Sequence, residues 1–544
     1  MPSIECEFHN VKAEAMIRDI RREEINRYAE RVGFTVGEEE LDGFHALARD
    51  VLSRVERFQQ LVGPLVPRPS VVAGPRNAGR PPLPEEDPCN AVLRWVDVRA
   101  DEAERTSDLL AGKRIALKDL VAVAGVPMTV GSRVMQNSTP QSDAVLTERV
   151  LRAGGRIVAM TNLEALAFSG GGETSSFGPI RNPFDLGRTA SGSSGGSASV
   201  LFHPHVDIAF GTDQGGSIRL PASWCGVLGL KPTFSLVPYT GLASLDRTFD
   251  HVGPLTRTAA DMAIAMAAVS GAHPSDPRQA APVPDLPFVE TVRTAGDDLR
   301  GLRIGLLTEG TRFPDDGHEG RAETLAAMEQ VWERFAELGA ELVEISVPEH
   351  EVAGSIMFAA LLEGVAATVY GNGEGYHFSG RYAPEQREAF GKGVAAYGDE
   401  MPGSFKAVAA IGEYLRDRYF GAIYATAQSS IPALRTAYDH ALAQVDVLAM
   451  PTASHYAHRV DPGADDFAKA LRGWTMLDNT PLHNATGHPA LSIPAAEADG
   501  LPVGVMLVGP HFSDHRLIGI AETYERRFGW LPQPAPIHGS EITL

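Results

Sequence analysis

The chain has 544 residues, 44% hydrophobic and 22% charged, with 55 Gly and 38 Pro, proportions that describe a globular protein and exclude a disordered or collagen-like one. Its 48 basic and 69 acidic residues sum to −21, and so acidic a surface argues against nucleic acid or an anionic membrane as partner. Cys6, Cys89 and Cys225 cannot build a disulfide framework, the start MPSIECEFHN lacks leader character, and no run of about 18 apolar residues is seen; reduced thiols in the cytoplasm are expected.

Residues 1–62 are predicted as an N-terminal helical segment. Met16, Ile17, Ile20 and Ile25 share one helical face, and Phe44, Leu47, Val51, Val55, Phe58 and Leu61 recur at steps of three and four. Helices of this size rarely fold alone, so they should pack on the main body or on a second subunit. Residues 63–90, rich in Pro, Gly and Arg, read as an extended linker. From residue 91 to 544, short apolar runs (IALKDLVAV, GRIVAM, VDIAF, LRIGLL, VDVLAM, PVGVMLVG) alternate with helical segments such as AVLTERVLRAG and ETLAAMEQVWERFAELG. That alternation predicts an α/β fold around a largely buried sheet. Residues 350–440 read as a mainly helical cap.

The region from Ser169 to Thr233 carries FSGGGETSSFGPIRNPFDLGRTASGSSGGSASV and VDIAFGTDQGGSIRLPASWCGVLGLKPT. A flexible linker is one reading of this composition. Interleaving with apolar residues, Trp224 among them, instead favours tight turns inside the body. Ser217 would follow a strand at such a turn, with the N–H groups of Gln214, Gly215, Gly216 and Ser217 around a developing oxyanion. Serine needs a base, and no histidine is evidently placed as one; no HExxH or Cys/His zinc spacing is present, so no metal is expected. Lys118 lies inside an apolar run, either ion-paired with a carboxylate such as Asp119 or held neutral by burial and able to accept a proton. Lys231 in GLKPT is the rival lysine. Gly192-Ser193-Ser194-Gly195-Gly196 also satisfies the G-x-S-x-G pattern of α/β-hydrolase esterases with Ser194 as nucleophile, although RNPFDLGRTA before it makes no strand.

Six stretches in order resemble the amidase signature family of serine hydrolases: IALKDLVAVAGVPMTVGS, GSSGGSA, GTDQGGSIRLPASWCGVLGLKPT, DHVGPLTRT, VDVLAMPTAS, and NATGHPALSIPA with GLPVGVMLVG. The resemblance implies a mixed β-sheet covered by helices on both faces, and hydrolysis of small aliphatic or aromatic amides without a cofactor. It implies a Ser–cisSer–Lys triad, with Ser217 as nucleophile, Ser193 as the bridging serine after a cis peptide bond, and Lys118 as base. Ser194, Thr212, Asp213 and Arg219 match supporting positions, and Ala167, Phe168, Ser169, Gly170 and Gly171 match the substrate loop. Among the family's branches the chain resembles amidases found beside nitrile hydratases, whose N-terminal helices help form a homodimer, so a homodimer is expected. Some relatives cleave carbamates or anilides, and the same fold serves as the amide-hydrolysing subunit of a tRNA amidotransferase.

Overall fold

The computed structural model describes residues 17–65, 70–279, 281–313, 318–531, 534 and 542. The chain divides into two compact units, Met1–Pro69 and Ser70–Leu544.

In the first unit, helices span Ile25–Val32 and Leu41–Val62, and Ile25, Ala29, Val36 and Leu41 form a small core with Ile20. Ile17 and Ile20, expected on a helix, precede the first turn at Arg22–Glu24, and Met16 lies outside the described residues. The Glu24 carboxylate accepts from Arg21 N at 3.1 Å, which starts the helical segment there rather than earlier. Phe44, Leu47, Val51, Val55, Phe58 and Leu61 all lie on the Leu41–Val62 helix and are exposed.

The second unit is built on one mixed sheet. Its strands are β1 (Arg76–Arg80), β2 (Val92–Val98), β3 (Arg114–Lys118), β4 (Arg156–Thr161), β5 (Ile208–Asp213), β6 (Leu228–Lys231), β7 (His251–Thr256), β8 (Arg303–Leu307), β9 (Glu341–Ile345), β10 (Val447–Pro451), β11 (Ala490–Ala498) and β12 (Leu501–Val508). They lie in the order β1-β2-β4-β3-β5-β7-β6-β11-β12-β10-β8-β9. At the centre, β3 runs parallel to β4 and β5, while β5 pairs antiparallel with β7.

Alternate residues of one strand enter different apolar clusters, so both faces of the sheet are covered. Ile115 and Leu117 of β3 join the largest cluster, and Ala116 between them joins another with Ala198 and Ala222 from helices Gly195–Ser199 and Arg219–Cys225. Further along, Val505 and Leu507 of β12 face the largest cluster, and Met506 and Val508 pack with Leu434 and Tyr438 of helix Ala422–Leu442. Strands buried on both faces read as continuous apolar runs, which is why β3, β4, β5, β8, β10 and β12 were visible in the sequence.

One expectation changes. Residues 63–90 include β1, which pairs with β2; its arginines hid it, because an edge strand tolerates charge, and Arg76 pairs there with the buried Asp143 at 2.5 Å. One helix, His350–Tyr370, is long and apolar enough to cross a membrane by length and composition, with mean hydropathy 1.8. It carries the buried Glu363, which accepts from Tyr424 N at 3.1 Å, and it packs against helices Gly403–Tyr419 and Ala422–Leu442. With Pro384–Tyr397, these helices make residues 350–442 a helical layer.

Candidate active site

Lys118 ends β3 at the middle of the sheet and is fully buried. Its Nζ lies 2.8 Å from Ser193 Oγ, 2.8 Å from Ser194 Oγ and 3.0 Å from Thr212 Oγ1. Asp119 is not its partner: that carboxylate turns to Thr129, accepting from its N–H at 2.8 Å and its hydroxyl at 2.5 Å. Burial pulls the Lys118 ammonium down to about 7, against the opposing pull of Asp213, Asp250 and Glu164.

A neutral amine has two N–H groups and one lone pair. Ser194 Oγ commits its own proton to the Thr212 carbonyl at 3.1 Å and must therefore accept from Lys118. Thr212 Oγ1 is the third group around the amine, and Tyr239 nearby donates its OH to Ala243 O at 3.1 Å. Ser193 and Thr212 share the amine's other N–H and its lone pair. The peptide bond Gly192–Ser193 is cis.

Ser217 follows β5 in the loop before helix Arg219–Cys225, and Ser194 N donates to Ser217 O at 3.1 Å, tying the two serine loops together. Both Ser193 and Ser217 line a cavity of about 220 Å³, but no hydrogen bond joins their hydroxyls. The loop hangs on Asp213. Its carboxylate accepts from Gly216 N at 2.7 Å, Ile218 N at 3.1 Å and Arg219 Nη2 at 2.9 Å. Burial alone would raise this carboxyl, but Arg219, Asn484 and the Ile218 amide outweigh it and hold it well below the usual carboxylate range. The Gly216 N–H is thus committed to Asp213 and is unavailable to an oxyanion, unlike the expectation from the sequence. Among the described residues, the N–H groups of Gln214, Gly215 and Ser217 have no protein acceptor. Gly216 must be glycine: with φ +134°, a Cβ would meet Thr480 Oγ1 at 2.3 Å.

Ala167, Phe168, Ser169 and Gly170 border the cavities beside Ser217, whereas Gly171 packs against Gly473. Gly170 N donates to Gly473 O at 2.9 Å, and the buried Glu164, pushed up by burial, accepts from Thr174 N at 2.7 Å to hold the loop. Sequence reasoning missed Thr480, which donates to Gly215 O at 2.6 Å, and Asn484, which donates to Asp213 O at 2.8 Å. Asn484 stands in the quoted stretch NATGHPALSIPA; Thr480 carries no local signal. Ser194 is fully buried and borders neither of these cavities, which leaves no role for it as an esterase nucleophile. Lys231 donates to Pro232 O at 3.0 Å, away from the serines. Asp439, His488 and His511 bring metal-ligand atoms within 4.8 Å of one another, a grouping that their sequence spacing concealed.

Residues 90–518 match the protein family described as Amidase. The chain is 37% identical over 448 residues to an enantioselective amidase of Rhodococcus rhodochrous, covering 80% of this chain and 83% of that protein. It is 35% identical over 451 residues to a glutamyl-tRNA(Gln) amidotransferase subunit of Synechococcus sp. (strain RCC307), covering 81% and 88%. The X-ray structure of the native peptide amidase from Stenotrophomonas maltophilia superposes with a TM-score of 0.64 at 28% identity, covering 78% of this chain and 85% of that one. The chain belongs to the amidase signature family and is an enzyme of amide C–N bond hydrolysis.

Proposed function

We propose that the chain is a Ser–cisSer–Lys amidase, of the kind found beside nitrile hydratases, that hydrolyses small aliphatic or aromatic amides through an acyl-enzyme. The observation that carries this reading is the buried amine of Lys118, 2.8 Å from Ser193 Oγ, with Ser194 beside it committed as an acceptor. Neutral Lys118 takes the proton of Ser193, which takes that of Ser217 once substrate brings the two hydroxyls together, and Ser217 Oγ attacks the carbonyl. The N–H groups of Gln214, Gly215 and Ser217 are the candidate oxyanion donors, each worth about 2.7–4 kcal/mol. Ser193 then protonates the departing nitrogen, and water releases the carboxylate by the same route. Ser194, Thr212, Asp213 and Arg219 support the loops; the 167–171 segment borders the substrate.

The lysine must be uncharged to act, so kcat/KM is expected to rise about tenfold per pH unit below about 7 and to level off above it. A pH–rate profile that is flat from 5 to 8 contradicts the assignment of Lys118 as base.

The exposed apolar stripe from Phe44 to Leu61 supports a homodimer, and the free, buried thiols of Cys89 and Cys225 suit a reducing cytoplasm. A second reading, as one component of an amidotransferase, draws on the 35% identity to such a protein. One preparation separates the two. The purified chain alone is expected to elute at twice its monomer mass, to hydrolyse a small amide, and to take up one fluorophosphonate per chain, on Ser217. Turnover that appears only when partner subunits are added establishes the second reading.

A further inference from the structure

Ser217 borders one apolar cavity, and a second lies on the far side of a small one. The first, about 540 Å³, is bordered by Gln214, Gly215 and Ser217 and walled by Met357, Phe358 and Trp474. The second, about 630 Å³, is walled by Leu166, Leu242, Phe390 and Phe405. Phe168 of the first and Phe405 of the second pack edge to face with centroids 5.9 Å apart, a partition between them. The small cavity that holds both Ser193 and Ser217 adjoins each: Ala167 borders all three, and it shares Gln214 and Ser217 with the first, and Ala243 and Leu245 with the second.

The chemistry assigns these spaces different contents. In the tetrahedral intermediate the carbonyl carbon holds Ser217 Oγ, the oxyanion, the acyl substituent and the nitrogen. Collapse breaks the C–N bond only as that nitrogen receives a proton, because an amide anion is too basic to leave. The donor is Ser193, which borders the small cavity and neither large one. The nitrogen therefore points into the small cavity, and whatever the nitrogen carries runs past Ala243 into the second. The acyl substituent is left the first cavity, beside the loop of Gln214 and Gly215.

We infer that the substrate is an N-substituted amide whose aryl or alkyl amine occupies the cavity of Leu166, Phe390 and Phe405, with Ala243 setting the width of its entrance. A primary amide, releasing ammonia, leaves that cavity unfilled and forgoes its contact; about 25 cal/mol per Å² of apolar surface buried favours the substituted substrate. The charges in its wall are matched to each other, with Glu374 at 3.1 Å from Arg247 and 3.7 Å from Arg387, and the rest of the lining is mainly apolar, so the cavity selects by shape and apolarity.

This inference rests on Ser193 as proton donor, and its test is arranged so that the two can fail separately. Propanamide and N-phenylpropanamide share one acyl group. The wild-type enzyme is expected to have at least a tenfold higher kcat/KM on the anilide. Ala243→Phe is expected to lower the anilide-to-amide ratio at least tenfold, and Ala243→Leu to lower it by less, with fluorophosphonate labelling of Ser217 reporting in each variant that the serine loop is intact. A wild-type preference for propanamide, or a ratio unmoved in variants that still take the label, overturns the inference while leaving the triad standing. Wild-type turnover that survives Ser217→Ala overturns the triad itself.

Discussion

Ser217→Ala is expected to lower kcat for amide hydrolysis by about 10⁴-fold or more, measured on the purified variant against the same amide as wild type. The loss is this large because, in the proposed mechanism, the hydroxyl forms the covalent bond and no neighbouring group replaces it: Ser194 is enclosed by Lys118 and Thr212, and Ser193 is assigned as the proton carrier. The same variant should unfold at nearly the wild-type temperature, within about 2 °C. Ser217 Oγ makes no hydrogen bond among the described residues, so its removal orphans no buried partner. Residual activity above about one part in a hundred, free of wild-type contamination, moves the nucleophile elsewhere.

The second large effect is on stability. Asp213→Ala is expected to cost about 3–5 kcal/mol in denaturant unfolding, because it strands the Arg219 guanidinium, itself fully buried, and frees the Gly216 and Ile218 amides. Activity falls with it, since those two amides shape the nucleophile loop. The double variant Asp213→Ala, Arg219→Met should be less destabilised than Asp213→Ala alone, because the uncompensated charge is gone. If the single variant costs under about 1 kcal/mol, the pair is not what holds the loop.

Much of this arrangement was legible because its parts are local. Lys118 stood out as a charge inside an apolar run, which is what a strand buried on both faces looks like when it ends in a functional group. Gly216 and Ser217 stood out because the backbone bends there. Other features were hidden for physical reasons. The Gly216 N–H was counted as an oxyanion donor, since nothing local reveals that the carboxylate of Asp213 folds back upon it. β1 was read as linker, because an edge strand with charged side chains resembles a loop in composition. The cavity walls Met357, Phe358 and Trp474 come from segments far apart in sequence, and no periodicity marks them.

The fastening of the serine loop by Thr480 and Asn484 bears on when the enzyme first becomes competent. Thr480 and Gly215 are 265 residues apart, so a growing chain passes Lys118, Ser193 and Ser217 long before the segment that fastens the Asp213–Gly215 turn is made. A nascent chain that stops short of Thr480 holds all three reactive side chains and lacks the clamp. The clamp on the serine loop thus closes only after some 265 further residues have followed Gly215.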